Sequence, residues 1–192
     1  MVRSTSFVRA LAGSMLFSAQ GMAQVPPAIA APGETRVAML HAEGAQIYEC
    51  KVGADGKLAW LFREPIASLF LDGKTVGRHY AGPSWERIDG SAVVAKDSGN
   101  VPGKTANDIA WLKLEVTSQR GSGALSGVTT VQRINTEGGV YAGVCDKAGA
   151  LHSEPYAADY VFLKREEQPR PRKKPVPRSS ARTISRADDR LK

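Results

Sequence analysis

The chain has 192 residues, of which 42% are hydrophobic and 23% charged, with a formal net charge of +7. This composition suits one globular domain with a core, and it excludes a collagen-like or wholly disordered chain. The charge is unevenly spread, because residues 164–192 hold 11 basic and 4 acidic side chains whereas residues 24–163 hold 13 and 15. The central part therefore lacks the basic excess of a nucleic-acid-binding domain, and specific nucleic-acid binding is not expected.

The N-terminus has the layout of a secretory signal peptide. Arg3 and Arg9 supply positive charge, an uncharged apolar run covers 10–19, and Ala23 is a small residue at a suitable cleavage point. We therefore predict a signal peptide over residues 1–23, cleavage after Ala23, and a periplasmic or secreted protein. The apolar run is too short to span a bilayer stably, and no later stretch is long enough, so no transmembrane segment is predicted.

Three further regions follow from composition. Residues 24–35 are rich in Pro and Ala and predict a linker, and residues 36–164 predict the folded domain. Residues 165–192 form a Pro- and Arg-rich basic tail that has little apolar surface to bury, so we expect it to be disordered. Such a tail can hold the protein to anionic envelope polymers or lipid head groups, and the alternative is a passive solvated extension.

Apolar residues in the domain recur with a period of two, which is typical of half-buried strands. Leu112, Leu114 and Val116 alternate with Trp111, Lys113 and Glu115 in this way. Five other short segments are rich in β-branched or aromatic residues and end at turn residues: 36–42, 45–52, 57–62, 129–136 and 158–164. With no convincing amphipathic helix, we predict an all-β fold, either a single antiparallel β-sandwich or a partly closed barrel built of short hairpins.

Turn dipeptides separate these segments, because Gly accepts positive φ at no steric cost. They are Asp55-Gly56, Asp72-Gly73, Asp89-Gly90 and Gly138-Gly139. Asp89-Gly90 stands between two strand-like segments and predicts a type I′ hairpin turn. Residues 77–84 are predicted to form the loop that leads into this hairpin.

Cys50 and Cys145 are the only cysteines. An even count in an exported chain predicts a disulfide, which would close a loop of about 95 residues. The alternative is two separate buried thiols.

A metal site or cofactor is not predicted. The three histidines, His41, His79 and His152, are far apart, and none lies at metal-ligand spacing from a cysteine. The sequence also lacks an H-E-x-x-H motif and a G-x-S-x-G elbow.

The densest group of candidate site residues is His79, Tyr80, Trp85 and Glu86. The aromatic pair with polar neighbours suits a pocket for a small ligand near Trp85, and a histidine near a carboxylate suits general acid–base catalysis. The competing interpretation is that Tyr80 and Trp85 only pack at the end of a sheet.

Several strings together resemble a known family. In chain order they are GAQIYEC, Trp60 and Phe62 as W-x-F, VGRHYAGPSWERIDGSAV, IAWLKLEV, GVTTVQRINTEGG and YAADYVF. They are similar to the family called domain of unknown function 3455, over about residues 36–163. The resemblance implies an exported β-rich domain without an established activity. A dinucleotide cofactor is not expected, because the chain lacks the G-x-G-x-x-G motif and the βαβ pattern.

We therefore expect an exported module that binds a ligand or serves a structural role in the cell envelope. The alternative is a small extracytoplasmic enzyme, such as a hydrolase, with its site near His79 and Glu86.

Overall fold

The structure, a computed structural model, describes residues 25–166. The predicted signal peptide, its cleavage after Ala23 and the basic tail beyond Glu166 lie outside the described residues. Eight strands and one short 3-10 turn (Pro27–Ile29) make up the regular structure. The strands are β1 (Glu34–Val52), β2 (Leu58–Leu71), β3 (Lys74–Tyr80), β4 (Ser84–Arg87), β5 (Ala92–Val101), β6 (Trp111–Arg120), β7 (Thr130–Gly138) and β8 (Leu151–Arg165).

The strands pair in chain order, each antiparallel to the next, and β1 also pairs with β8, so the sheet closes into a barrel. The predicted all-β antiparallel fold is confirmed, and the described residues contain no α-helix. Of the two arrangements left open, the strands adopt a closed ring. Closure leaves no unpaired sheet edge, which removes a common route to aggregation.

Two predicted segments, 36–42 and 45–52, belong to the single long strand β1. Gly44 makes this continuity possible, because a Cβ there would collide with the backbone oxygen of Ile66 on β2. The ladder with β2 then shifts register between Ile47 and Tyr48. A close approach followed by a bulge bends a strand, as closure of a small barrel requires.

The Asp72-Gly73 turn has positive φ at both residues, 51° and 73°, as a type I′ turn demands. Asp89-Gly90 also connects two paired strands, but only Gly90 has a positive φ, so the predicted type I′ geometry is wrong there. The Asp89 carboxylate accepts the Ser91 N–H (2.9 Å), which favours an Asx-type turn over a two-residue hairpin.

Most of the predicted loop 77–84 is also not a loop. Strand β3 continues to Tyr80, and only residues 81–83 form the turn before β4. Gly77 suggested a loop, but it lies within the β3–β4 ladder opposite Arg87, where its missing side chain admits the neighbouring backbone. Glycine at a close strand approach gives the same sequence signal as glycine in a turn.

Apolar side chains form two clusters. The larger fills the barrel and includes the fully buried Leu40, Leu69, Trp85, Tyr160 and Phe162. The smaller lies outside the barrel wall, where it joins Ile29 of the N-terminal segment to Ile134, Val161 and Leu163 of β7 and β8.

The N-terminal segment, predicted as part of a linker, packs against the outer surface of the barrel. Ile29 is fully buried, and the Gln132 side chain donates a hydrogen bond to its carbonyl oxygen (2.6 Å). Residues 25–33 therefore cover apolar outer surface of the barrel, where the Pro27–Ile29 turn also contacts β5 and β6. None of the described residues belongs to a helix that is long and apolar enough to cross a membrane.

The two ends of the barrel differ. At the closed end, the β6–β7 connection folds across the opening and buries Leu125 and Val128. The Asp89 carboxylate accepts the Ala124 N–H (3.0 Å), which ties that connection to the β4–β5 turn. At the open end, the chain passes through residues 81–83, 102–110 and 139–150, and these segments surround an opening instead of filling it.

Candidate functional site

A cavity of about 610 Å³ extends into the barrel from its open end. This volume is in the range typical of small-molecule sites. Apolar residues of β6 and the segments around it form much of its wall, including Ile109, Leu112 and Leu114. Polar and aromatic side chains complete the lining: Gln46, Tyr48, His79, Trp85, Arg133 and Tyr160.

The four predicted site residues divide between the two faces of the sheet. His79 pairs with Trp85 across β3 and β4, and both side chains are buried and line the cavity. Tyr80 and Glu86 face the outer surface, where the Tyr80 hydroxyl donates to the Glu86 carboxylate (3.2 Å). The fold therefore brings His79 and Trp85 into one site and does not bring Glu86 to His79.

His79 is held as a neutral ring. Its Nδ1 lies 2.8 Å from the carbonyl oxygen of Ser84, which only accepts hydrogen bonds, so Nδ1 carries the proton and Nε2 is left as an acceptor. Burial lowers the pKa of His79 to about 3, and the charge of Arg133 lowers it further, against the opposing effect of the Ser84 bond. At neutral pH this histidine is suited to packing and to accepting a hydrogen bond.

His79 belongs to an aromatic cluster. Its ring stacks on Trp85 with centroids 4.6 Å apart and an interplanar angle of 10°. Tyr160 of β8 approaches both rings, at 4.9 Å from His79 and 5.2 Å from Trp85. The cluster makes this part of the cavity wall rigid, because ring contacts of this kind fix side-chain orientation.

Glu86 is the centre of a charged network on the outer surface. Its carboxylate accepts from Arg78 (2.9 Å) and lies 3.2 Å from the Arg120 guanidinium. The Arg78 hydrogen bond is the main reason that the pKa of Glu86 is lowered, with a smaller contribution from Tyr80. A carboxylate held by two arginines is a poor general base.

Arg133 is the functional candidate that sequence analysis missed. It lies on β7 and lines the cavity, and its Nε donates to the carbonyl oxygen of Ala110 (3.0 Å). Among residues 25–166, no carboxylate lies within 4.0 Å of its guanidinium. The period-two alternation of the strand could have indicated its position. Arg133 is two residues after the buried Val131 and therefore lies on the same face of the strand.

Two buried donors beside the cavity also lack partners. The Gln46 side-chain nitrogen and the Trp85 indole nitrogen form no hydrogen bond, although both residues are almost fully buried. Native proteins pair most buried polar atoms, so these two donors are exceptions within the barrel wall. The hydroxyls of Tyr156 and Tyr160 lie 3.4 Å apart, and burial raises the pKa of both.

A family model matches the chain over residues 31–164, and its description is protein of unknown function (DUF3455). The chain belongs to this family. The resemblance found in the sequence is thereby confirmed. No curated protein and no solved structure matches the chain. The family description carries no activity, so function in this DUF3455 domain has to be argued from the cavity.

The segment 139–150 forms part of the cavity rim and is strongly tethered to β1 and β2. Cys50 and Cys145 form the predicted disulfide, with Cα atoms 5.6 Å apart. The Tyr48 hydroxyl donates to the Gly139 oxygen (2.7 Å), and the Trp60 indole donates to the Val144 oxygen (3.0 Å). The rim therefore has a defined position although its backbone is mostly irregular.

The other two histidines lie away from the cavity. His41 contacts Asp159 (2.9 Å), and His152 contacts Glu154 (2.8 Å) while stacking on Tyr141. Within the part of the chain that the structure describes, no group of three His, Cys, Asp or Glu residues is placed to hold a metal ion.

Proposed function

We propose that this DUF3455 domain is an exported binding module of the cell envelope that holds a small molecule inside its barrel. The observation that carries the proposal is the cavity of about 610 Å³ at the open end. An open, mostly apolar cavity of this volume is the usual form of a small-molecule site.

The lining supports a ligand with a substantial apolar part. Phe62, Leu112 and Val140 offer apolar surface, and the stacked rings of Trp85 and His79 are buried in the wall. Sites for small molecules are usually mostly apolar, with a few polar groups that fix orientation. Arg133 supplies such a group here.

Two features support export. The signal-peptide pattern ending at Ala23 directs a chain out of the cytoplasm. The Cys50–Cys145 disulfide is consistent with an extracellular protein, because disulfides persist in oxidising compartments. In this proposal the basic tail, residues 165–192, keeps the module near anionic envelope polymers or lipid head groups.

The alternative, a hydrolase near His79 and Glu86, has less support. Acid–base catalysis would need the two side chains to converge on one substrate. His79 is buried on the inner face, whereas Glu86 is bound by Arg78 and Arg120 on the outer face.

The proposal is tested by recovering the natural ligand. The full-length protein is purified from its native host, and small molecules released by denaturation are identified by mass spectrometry. Ala110→Trp places a bulky ring in the cavity wall, and Ala54→Trp is the matched control at an exposed turn. We expect the same compound with the wild type and with Ala54→Trp, and its loss with Ala110→Trp. Retention of the compound by Ala110→Trp, or its absence from the wild type, would contradict the proposal.

A further inference from the structure

We infer that the molecule bound in the barrel is an apolar carboxylate whose anionic group is recognised by Arg133. The inference rests on the proposed function and specifies the chemical class of its ligand. The central observation is a cation inside a largely apolar cavity that has no anionic partner among residues 25–166.

An uncompensated cation in such a place is costly, because enclosure strips water from the charge. The other charged residues of the cavity do not compensate it. Arg63 lies at the rim and contacts Glu64 (3.1 Å), so it is already paired. Asp97 also lines the cavity, but it is exposed, is not within ion-pair distance of Arg133, and accepts the Gly99 N–H (2.9 Å).

The free part of Arg133 suits a carboxylate. Its Nε donates to the Ala110 carbonyl oxygen, and the guanidinium also interacts with the Tyr160 side chain, so the group is held in place. Most of its five N–H donors remain for a ligand. A guanidinium binds a carboxylate through parallel charge-assisted hydrogen bonds.

The rest of the cavity specifies the other part of the ligand. Apolar side chains of the lining that are not buried, among them Phe62, Leu112 and Val140, present hydrocarbon surface to the cavity. His79 is neutral and carries no charge to attract or repel an ion. A small anion such as phosphate would leave this surface unoccupied. A rigid aromatic acid would occupy both the cation and this surface.

The test compares two probes of nearly the same shape, 2-naphthoate and the uncharged 2-naphthamide, by calorimetric titration of the full-length protein. We expect the carboxylate to bind at least about tenfold more tightly, as one charge-assisted contact implies. Arg133→Met should lose that preference and retain 2-naphthamide, and Arg133→Lys should keep part of it. Arg120→Met, which removes a cation from the outer surface, is the matched control and should leave both affinities unchanged.

Each outcome bears on the inference. Equal binding of the two probes by the wild type, or undiminished 2-naphthoate binding by Arg133→Met, would overturn it. If the wild type binds 2-naphthamide and Ala110→Trp abolishes that binding, the proposed binding module is still supported. A failure of the carboxylate inference can therefore be distinguished from a failure of the proposed function. Near-ultraviolet circular dichroism shows whether Arg133→Met folds. If it does not, the inference is tested by comparing the affinities of the wild type and Arg133→Lys for 2-naphthoate and 2-naphthamide. Absence of 2-naphthoate binding by the wild type also contradicts the inference.

Discussion

The two ends of the barrel are stabilised in different ways. The closed end is filled by apolar side chains, among them Leu125 and Val128, and its connection is held by the Asp89 carboxylate. The open end has a cavity where a core would lie, and its rim is held by a disulfide and by single hydrogen bonds from Tyr48 and Trp60.

This difference shows how a small barrel can keep an unfilled interior. Burial of apolar surface supplies most of the stability of a domain, so a region without it needs another constraint. Here a covalent link positions the rim, and packing at the opposite end supplies the core. Changes at the two ends should therefore affect stability differently.

Removing the disulfide should have the largest effect. Cys50→Ala combined with Cys145→Ala should lower the free energy of unfolding by about 4–5 kcal/mol on the chain-entropy model, because the bond closes a 95-residue loop. Urea unfolding of both proteins measures the loss. Hydrogen exchange should then rise in residues 139–150 and not at Leu125. Equal loosening of both ends would contradict the division.

Truncating the core should cost more at the closed end than beside the cavity. Leu125→Ala removes a side chain that is 1% exposed, and we expect a loss of about 3 kcal/mol. Leu112→Ala is the matched change at the cavity wall, where fewer contacts are lost, and should cost about 1 kcal/mol. Chemical denaturation measures the free energy of unfolding of both variants. A larger loss of this free energy in Leu112→Ala than in Leu125→Ala would show that the cavity is packed in solution.

His79 should make the open end sensitive to acid. Its pKa is about 3 in the folded protein and 6.5 when unfolded, so the unfolded chain binds more protons between these values. This contribution to stability is therefore complete above about pH 6.5 and falls by at most about 1.4 kcal/mol per pH unit below it.

His79→Gln should flatten that dependence between pH 6.5 and pH 4.5, measured by urea unfolding at each pH. The lower limit keeps the experiment above pH 3.8, the pKa of Asp89 in the unfolded chain. Backbone and side-chain hydrogen bonds, first that from Ala124, lower the pKa of Asp89 to about 2 in the folded protein, so its own contribution to stability is lost between these two values. His41→Gln, at an exposed site, is the control and should retain the fall. An unchanged slope in His79→Gln would show that His79 is not buried in solution.

The tail should have the smallest effect on stability. Strand β8 ends at Arg165, and deletion of residues 166–192 removes almost no apolar surface, so the melting temperature should stay the same. Binding to anionic vesicles should weaken, and the lost part should be the salt-sensitive part. A melting temperature many degrees lower would mean that the tail covers part of the barrel, and equal vesicle binding would make it a passive extension.

Local features of the sequence predicted much of the fold. Alternation around Leu112 and Leu114 indicated a strand, Asp72-Gly73 indicated a hairpin, and the cysteine count indicated the disulfide. These predictions succeeded because side-chain alternation and positive φ are properties of a few adjacent residues. The turn type at Asp89 was wrong because the Asp89 carboxylate accepts the Ser91 N–H, which favours an Asx-type turn that the Asp-Gly pair alone does not indicate.

The candidate site was predictable only in part. His79 and Trp85 were chosen because aromatic and titratable side chains are concentrated in their segment, and both line the cavity. Glu86 was grouped with them because it is close in sequence, but it directly follows Trp85 in β4, and successive side chains of a strand point to opposite faces. Arg133 was missed although strand alternation places it on the face of Val131, because the alternation does not show that this face borders an open cavity.

The sequence by itself determined the all-β class, most strand positions and the cysteine pair, because these follow from local periodicity and from composition. Only the tertiary structure decided that the sheet closes. Closure pairs β8 with both β1 and β7. Tyr160 of β8 thereby contacts Trp85, and Arg133 of β7 lies opposite Tyr160 in the β7–β8 ladder. Which side chains share an interior depends on pairings between distant strands, and those follow from the best burial of the whole chain rather than from any short segment.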